Sequence, residues 1–239
     1  MTAPAVEAVG LRKTFGRLQV LQGLDVAIEA GVVTAIVGPN AAGKSTFIKS
    51  VLGLVRPDSG QLRVLGADPR DGDSYRARVG YMPQTARFPE NLSGNEVLQL
   101  LSGLRGHPES QDRELIDTFG LGSQLHKPVR TLSGGTRQKL NAVVAFLFRP
   151  ALVILDEPTA GLDPVASGQF KDKVLDARSK GTTVLLTSHL MGEVEELADR
   201  IVFLLEGRIH FHGSVDELRQ RTGEAKLERA VARLTTEAA

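Results

Sequence analysis

Apolar residues along this chain come in short runs with two different spacings, and the alternation between them sets the expected architecture. Residues 6–11, 18–28 and 32–37 read as strands separated by turn residues such as Gly16, Arg17, Ala30 and Gly31, the last run being apolar enough to be buried up to Gly38. After Gly43 the apolar residues Phe47, Ile48, Val51 and Leu52 fall on one helix face, and Pro57 to Gly60 end that helix with a turn. Further apolar runs at 151–155, 182–187 and 201–205 alternate with helical segments at 134–148, 164–179 and 190–198. That order predicts an α/β fold with a parallel sheet and helices on both faces. Residues 95–120 are helical in period and hold no convincing strand, which predicts a helical insertion, and 217–234 read as a charged amphipathic tail.

Composition narrows the classes. A chain of 239 residues with 41% hydrophobic residues carries a sizeable core, enough for one large α/β domain or two small ones, and is not disordered in the main. The formal charge of +1, with no segment dominated by Lys and Arg, removes the electrostatic case for a nucleic-acid partner. Zero cysteines exclude a disulfide framework and thiolate chemistry. The N-terminal stretch lacks the basic and apolar regions of a secretory signal, so a cytoplasmic location is expected. The longest apolar run, residues 142–148, is far shorter than the roughly 20 residues of a membrane-spanning helix. A membrane role therefore has to pass through a partner.

Three segments carry chemistry. Residues 38–46, Gly38, Pro39, Asn40, Ala41, Ala42, Gly43, Lys44, Ser45 and Thr46, follow the pattern of a phosphate-binding loop and lie between an expected buried strand and an expected helix. Loop and helix N-terminal N–H groups in such a place face a β-phosphate, Lys44 neutralises β/γ charge, and Ser45 ligates Mg²⁺. The plain alternative is a glycine turn at a helix end. The run LVILDEP places Asp156 and Glu157 at a strand's carboxyl end, where open α/β sheets bind ligands: Asp156 to hold Mg²⁺, Glu157 as general base for the attacking water. Alone, that pair also reads as a solvated strand end; beside a phosphate loop it reads as chemistry. Ser133, Gly134 and Gly135 precede a helix beginning near Thr136, giving a second anion-binding helix N-terminus or simple capping.

In that order the motifs make the chain resemble the ATP-binding cassette (ABC) family, and specifically the nucleotide-binding subunit of an ABC transporter. The resemblance covers nearly the whole chain, adding Gln84 in VGYMPQ, Gly-Leu-Asp-Pro at 161–164 and His189 after TVLLTS to the LSGG signature. It implies one domain over 1–239: a P-loop NTPase core with a mostly parallel sheet, an N-terminal antiparallel β subdomain, a helical signature subdomain at about 86–150 and a helical tail at about 214–239. It further implies that Gln84 senses Mg²⁺ and water and couples to the membrane partner, that Asp163 bridges protomers, that His189 contacts the γ-phosphate and that Phe15 stacks on adenine. Because the signature of one subunit closes over nucleotide held by another, it implies a homodimer around two ATP that drives a separate integral membrane permease from the inner face of the cell membrane.

Two positions depart from the family pattern. Ala41 stands where glycine is usual and Thr136 where Gln is usual, which bears on nucleotide affinity and turnover. Competing readings are a soluble ABC-type ATPase acting on ribosomes or DNA, although twin cassettes or long coiled coils are lacking, and a phosphate-loop kinase or GTPase, although no Asn-Lys-x-Asp motif occurs. Within the family, residues 86–106 and the end of the tail resemble ABC-2-type exporters, and in particular cassettes that process copper for nitrous oxide reductase. His210 and His212 alternate to one side of an expected strand, either as weak metal ligands or as solvated strand residues. With no Cys and three Met, a copper role lies in the partners.

Overall fold

A computed structural model describes residues 3–106 and 111–238, so residues 107–110 of the expected helical insertion lie outside it. The chain runs β1 (Val6–Phe15), β2 (Leu18–Ile28), β3 (Val33–Val37), α1 (Lys44–Val51), β4 (Ser59–Val64), β5 (Val79–Met82), α2 (Gly94–Leu104), α3 (Glu114–Thr118) and α4 (Gly134–Phe146). It continues through β6 (Leu152–Asp156), α5 (Pro164–Ser179), β7 (Thr183–Thr187), α6 (Met191–Leu197), β8 (Arg200–Leu205), β9 (Arg208–Gly213), α7 (Val215–Thr222) and α8 (Leu227–Ala238). An antiparallel sheet has the order β2-β1-β4, and a larger sheet the order β5-β6-β7-β3-β8-β9, parallel throughout except for β8–β9.

Period-two alternation in the buried strands feeds two cores. Val33, Ala35, Val153, Leu155, Val184, Leu186, Ile201 and Phe203 face one core with residues of α2 to α8. Ile36, Leu152, Ile154, Leu185, Val202 and Leu204 face the other, which α1 and the antiparallel sheet complete. Helices thus lie on both faces, as expected, but on the second face α1 is short and the apolar residues of β1, β2 and β4 supply most of the cover.

Several boundaries also move. β4 and β5 are strands that the hydrophobic pattern did not announce, being short and interrupted by Gly and charged residues. The described part of the insertion holds two helices, α2 opened by a Ser93–Glu96 capping box. α4 starts at Gly134, the start expected for the 134–148 segment and two residues ahead of Thr136, with Ser133 as its N-cap. The tail breaks at Gly223, whose φ of 70° ends α7. β9 bulges between the Phe203↔Phe211 and Leu204↔Ile209 pairs, so His210 leaves the regular alternation and sets its ring edge-on to Phe203.

The parallel ladder brings the carboxyl ends of β3, β6 and β7 to one edge, with Asp156 opposite Thr187 and Ile36 opposite Thr187.

Candidate functional site

Residues 38–43 leave β3 and turn into α1 under tight steric constraint. A Cβ on Gly38 (φ 150°) falls 2.0 Å from the Leu204 carbonyl oxygen, and one on Gly43 (φ 108°) falls 2.9 Å from that of Val20, so neither position accepts a side chain. Ala41 adopts φ 64° with its Cβ in place, a conformation that L-residues other than glycine avoid. The loop is anchored by the Ala42 carbonyl, which accepts from the Gly207 N–H at 2.9 Å. Lys44 Nζ reaches back across the loop and donates to the Gly38 and Pro39 carbonyls at 2.5 and 2.9 Å. Burial lowers the Lys44 pKa from the ordinary lysine value, and the carboxylates of Glu157 and Asp156 pull against that shift. A half-buried cation facing two carboxylates beside a side-chain-free cradle is built for a phosphate group; Ser45, at the start of α1, is exposed next to it.

At the end of β6, Asp156 Oδ1 accepts a hydrogen bond from the Thr187 hydroxyl at 2.5 Å. Glu157 has φ 49°, a second strained non-glycine residue at this edge, and its N–H donates to the Thr187 carbonyl at 3.0 Å and to the Thr187 hydroxyl at 3.2 Å. Its side-chain Oε2 lies 2.7 Å from Nδ1 of His189. The structure therefore gathers Lys44, Asp156, Glu157 and His189 at one edge although they span 145 positions of sequence. The oxygens of Ser45 and Asp156 are hard donors of the type that a magnesium ion takes.

The remaining expected residues fall elsewhere. Ser133 caps α4 by accepting from the Thr136 N–H at 3.1 Å, and its hydroxyl lies 2.8 Å from that of Thr136. Among the described residues no hydrogen bond joins 133–136 to 38–46. Asp163 caps α5 through the Ala166 N–H at 2.8 Å and pairs with Lys139 of α4 at 2.9 Å; the hydrogen bond from Lys139 holds its carboxyl below the ordinary range. Gln84 is exposed just after β5, where the Pro83 carbonyl accepts from the Asn141 amide of α4 at 2.8 Å. Phe15, 49% exposed, ends β1 with Lys13 Nζ 5.2 Å from its ring centre.

Two site residues escaped the sequence reading. Thr187 looked like one more strand residue; the only signal is a hydroxyl closing an apolar run. Lys139 looked like a solvated helix residue, and its partner Asp163 is too distant in sequence to suggest the pair.

Comparison with known proteins bears on the whole arrangement. The ABC transporter family profile matches residues 21–160. The chain is 40% identical over 224 residues to the daunorubicin/doxorubicin resistance ATP-binding protein DrrA of Streptomyces peucetius, covering 92% of this chain and 68% of that protein. It is 35% identical to the lantibiotic transport ATP-binding protein SrtF of Streptococcus pyogenes, covering 83% of this chain and 86% of that protein. A solved ATP-binding subunit of an ABC transporter superposes with a TM-score of 0.92 at 32% identity, covering 97% of this chain and 99% of that one. A dimeric cassette bound to ADP and Pi, at 20% identity and a TM-score of 0.79, shares the fold. With its phosphate loop inside the matched segment and the fold shared over nearly its full length, the chain belongs to the ABC transporter family as an ATP-binding, ATP-hydrolysing subunit of the DrrA, or ABC-2 exporter, type.

Proposed function

We propose that this chain is the motor of an exporter: two copies pair head to tail, enclose two ATP, and pass closure and reopening to a separate integral membrane permease. The observation that carries this reading is that, among the described residues, no hydrogen bond joins the phosphate loop to the Ser133 loop of the same chain. Each has one anion-binding surface, and a second copy supplies what the first lacks.

In this scheme residues 38–46 hold the phosphates, with Lys44 against the β/γ oxygens and Phe15 against the adenine. Ser45 and Asp156 hold Mg²⁺, joined by Gln84; the ion screens charge on the phosphates when bound. Glu157 orients water and accepts its proton, and His189, in contact with Glu157, meets the γ-phosphate. Ser133, Gly134 and Gly135 close on nucleotide from the other copy, with Asp163 at the dimer seam.

The permease reading is supported by an apolar groove of about 260 Å³, in which Leu54, Tyr81, Leu101, Val144 and Phe148 meet Arg76 and Arg105; Tyr81 lies on β5, three residues before Gln84. Among the described residues no helix is long and apolar enough to cross a membrane. A peripheral position on the inner membrane face, through the permease, follows from the scheme. Relatives named for drug resistance and lantibiotic transport favour an organic export substrate. The copper-processing reading rests on sequence resemblance alone. Deletion of the gene in a strain making nitrous oxide reductase tests it, fully metallated enzyme ending that reading.

Mixed mutants test the composite site. Lys44→Ala and Ser133→Arg homodimers each have two defective sites, whereas a mixed dimer has one intact site and one doubly defective site. After random exchange, verified with differently tagged chains, about a quarter of wild-type ATPase activity returns if sites act independently. A verified mixture without any gain over the separate mutants overturns the shared site.

A further inference from the structure

β7 is buried at every position, and Thr187 at its end is 1% exposed. A hydroxyl in such a place must be satisfied by the protein around it. The partners of Thr187 are the two acidic residues of the site. Its hydroxyl donates to Asp156 Oδ1 at 2.5 Å and accepts from the Glu157 N–H at 3.2 Å, while its carbonyl accepts from the same N–H at 3.0 Å. The Asp156↔Thr187 register of the parallel pair makes these contacts a property of the sheet and not of a mobile loop.

Both contacts act on groups that would otherwise have freedom. The Asp156 carboxylate turns about a broad terminal torsion, and the oppositely charged Lys44 ammonium at the same edge attracts it. The Thr187 hydroxyl holds Oδ1 and leaves Oδ2 for an ion. Glu157 sits at φ 49°, a conformation that persists only where its surroundings hold it, and the two bonds to its N–H are such a hold.

We propose that Thr187 is a positioning residue for ATP hydrolysis: its hydroxyl fixes the Asp156 carboxylate for Mg²⁺ and, together with its carbonyl, keeps the Glu157 backbone turned so that the base points at water. This rests on the roles given above to Asp156 and Glu157. Removing the hydroxyl frees Asp156 to swing toward Lys44 and takes away one of the two bonds to the Glu157 N–H, so the ion site loosens and the base is held less firmly, while the phosphate loop itself is untouched.

The test uses the full-length protein with Thr187→Val, Thr187→Ala and Thr187→Ser, and Mn²⁺ as the spectroscopic probe. In the ATP-bound protein, electron paramagnetic resonance should show Mn²⁺ binding weakened about 10–100-fold in the Val and Ala variants, with kcat lowered by a similar factor. Nucleotide affinity without divalent ion should stay within about twofold, and Thr187→Ser should lie within about threefold of wild type throughout. Val and Ala variants with wild-type Mn²⁺ affinity and kcat overturn the proposal, as does a Ser variant as impaired as Ala. If the Val variant does not fold, the Ala and Ser pair decides by the same comparison. Asp156→Asn and Glu157→Gln run alongside: normal Mn²⁺ binding in the first or normal hydrolysis in the second removes the underlying roles, whereas two defective controls beside an unaffected Thr187→Ala remove only the role of Thr187.

Discussion

Lys44 and Lys173 stand at opposite edges of the six-stranded sheet, both withdrawn from solvent, and their titration shifts in opposite directions. For Lys44, burial outweighs the attraction of Glu157 and Asp156, and its pKa falls. Lys173 of α5, 6% exposed, is also penalised by burial, yet hydrogen bonds to Asp112 and Glu114, both at 2.7 Å, outweigh the penalty and its pKa rises. Lys44 is bonded to two neutral carbonyls and Lys173 to two carboxylates. Lys173 lines a cavity of about 820 Å³ at the amino ends of β5, β6 and β7, larger than the apolar groove lined by Leu54 and Tyr81. Here α4 and α5 end, and Arg149 and Lys180 complement the negative ends of those helices. Cavity size and charge therefore do not mark the reactive edge of this molecule. Backbone strain alone does not either, since Arg149 beside that cavity has φ 46°; the mark is a lysine bonded only to carbonyls with the carboxylates of Asp156 and Glu157 near it.

If that contrast is right, substitutions at the two edges must separate activity from stability. The largest effect belongs to Glu157→Gln. Loss of the base should lower ATP hydrolysis about 10³-fold, roughly 4 kcal/mol in the barrier, with nucleotide binding and melting temperature near wild type and an ATP-bound dimer accumulating. Single-turnover hydrolysis measured beside ATP titration checks this, and a variant that turns over normally would falsify the role of Glu157.

Lys173→Met is the reverse experiment. It keeps the volume but strands Asp112, which is mostly buried, and should cost about 3 kcal/mol of stability while leaving hydrolysis within about twofold. The pH dependence carries a sign. Burial opposes ionisation of Asp112, but the hydrogen bond from Lys173 leaves its carboxyl below the ordinary range. A depressed carboxyl stabilises the fold fully above its unfolded pKa of about 4 and loses that contribution as pH falls through the folded value. The raised Lys173 contributes fully below its unfolded pKa of about 10 and loses its contribution as pH rises through the folded value. The stability gap between wild type and variant should thus be widest between about pH 5 and 9 and narrow on both sides. Urea titrations across that range decide; a gap that widens on acidification contradicts the pair.

The edge that holds Lys44, Asp156 and Glu157 was far more legible in the sequence than the edge that holds Lys173, for a physical reason. A phosphate loop needs its glycines and lysine within one turn, so residues 38–46 announce themselves locally, as do the apolar runs behind Asp156 and His189. The Lys173 cluster joins α5 to residues before and within α3, and nothing in its local spacing reveals the pairing. The same limit hid Thr187, whose meaning lies in the register of two strands, and β5, whose four residues become a strand only by pairing with β6. Thr136 shows a third case: a departure from the family pattern that is, in the fold, a partner for the Ser133 hydroxyl at 2.8 Å.

The smallest effect lies inside the phosphate loop, where adjacent alanines sit under different constraints. Ala41 holds φ 64°, which costs an L-residue about 1–2 kcal/mol relative to glycine, whereas Ala42 has no positive φ and is 3% exposed. Replacing either by Gly also adds freedom to the unfolded chain, at a cost of about 0.4–1 kcal/mol. For Ala41→Gly, relief of strain outweighs that cost, and stability should rise by about 0.5–1 kcal/mol, roughly 2 °C in melting temperature for a domain of this size. For Ala42→Gly nothing is relieved and a buried methyl is lost as well, so stability should fall by more than about 1 kcal/mol. Calorimetry without nucleotide on the two variants reads the difference directly. Opposite shifts from neighbouring residues indicate strain stored at Ala41, and a fall in both means that the loop holds φ 64° at no cost to the fold.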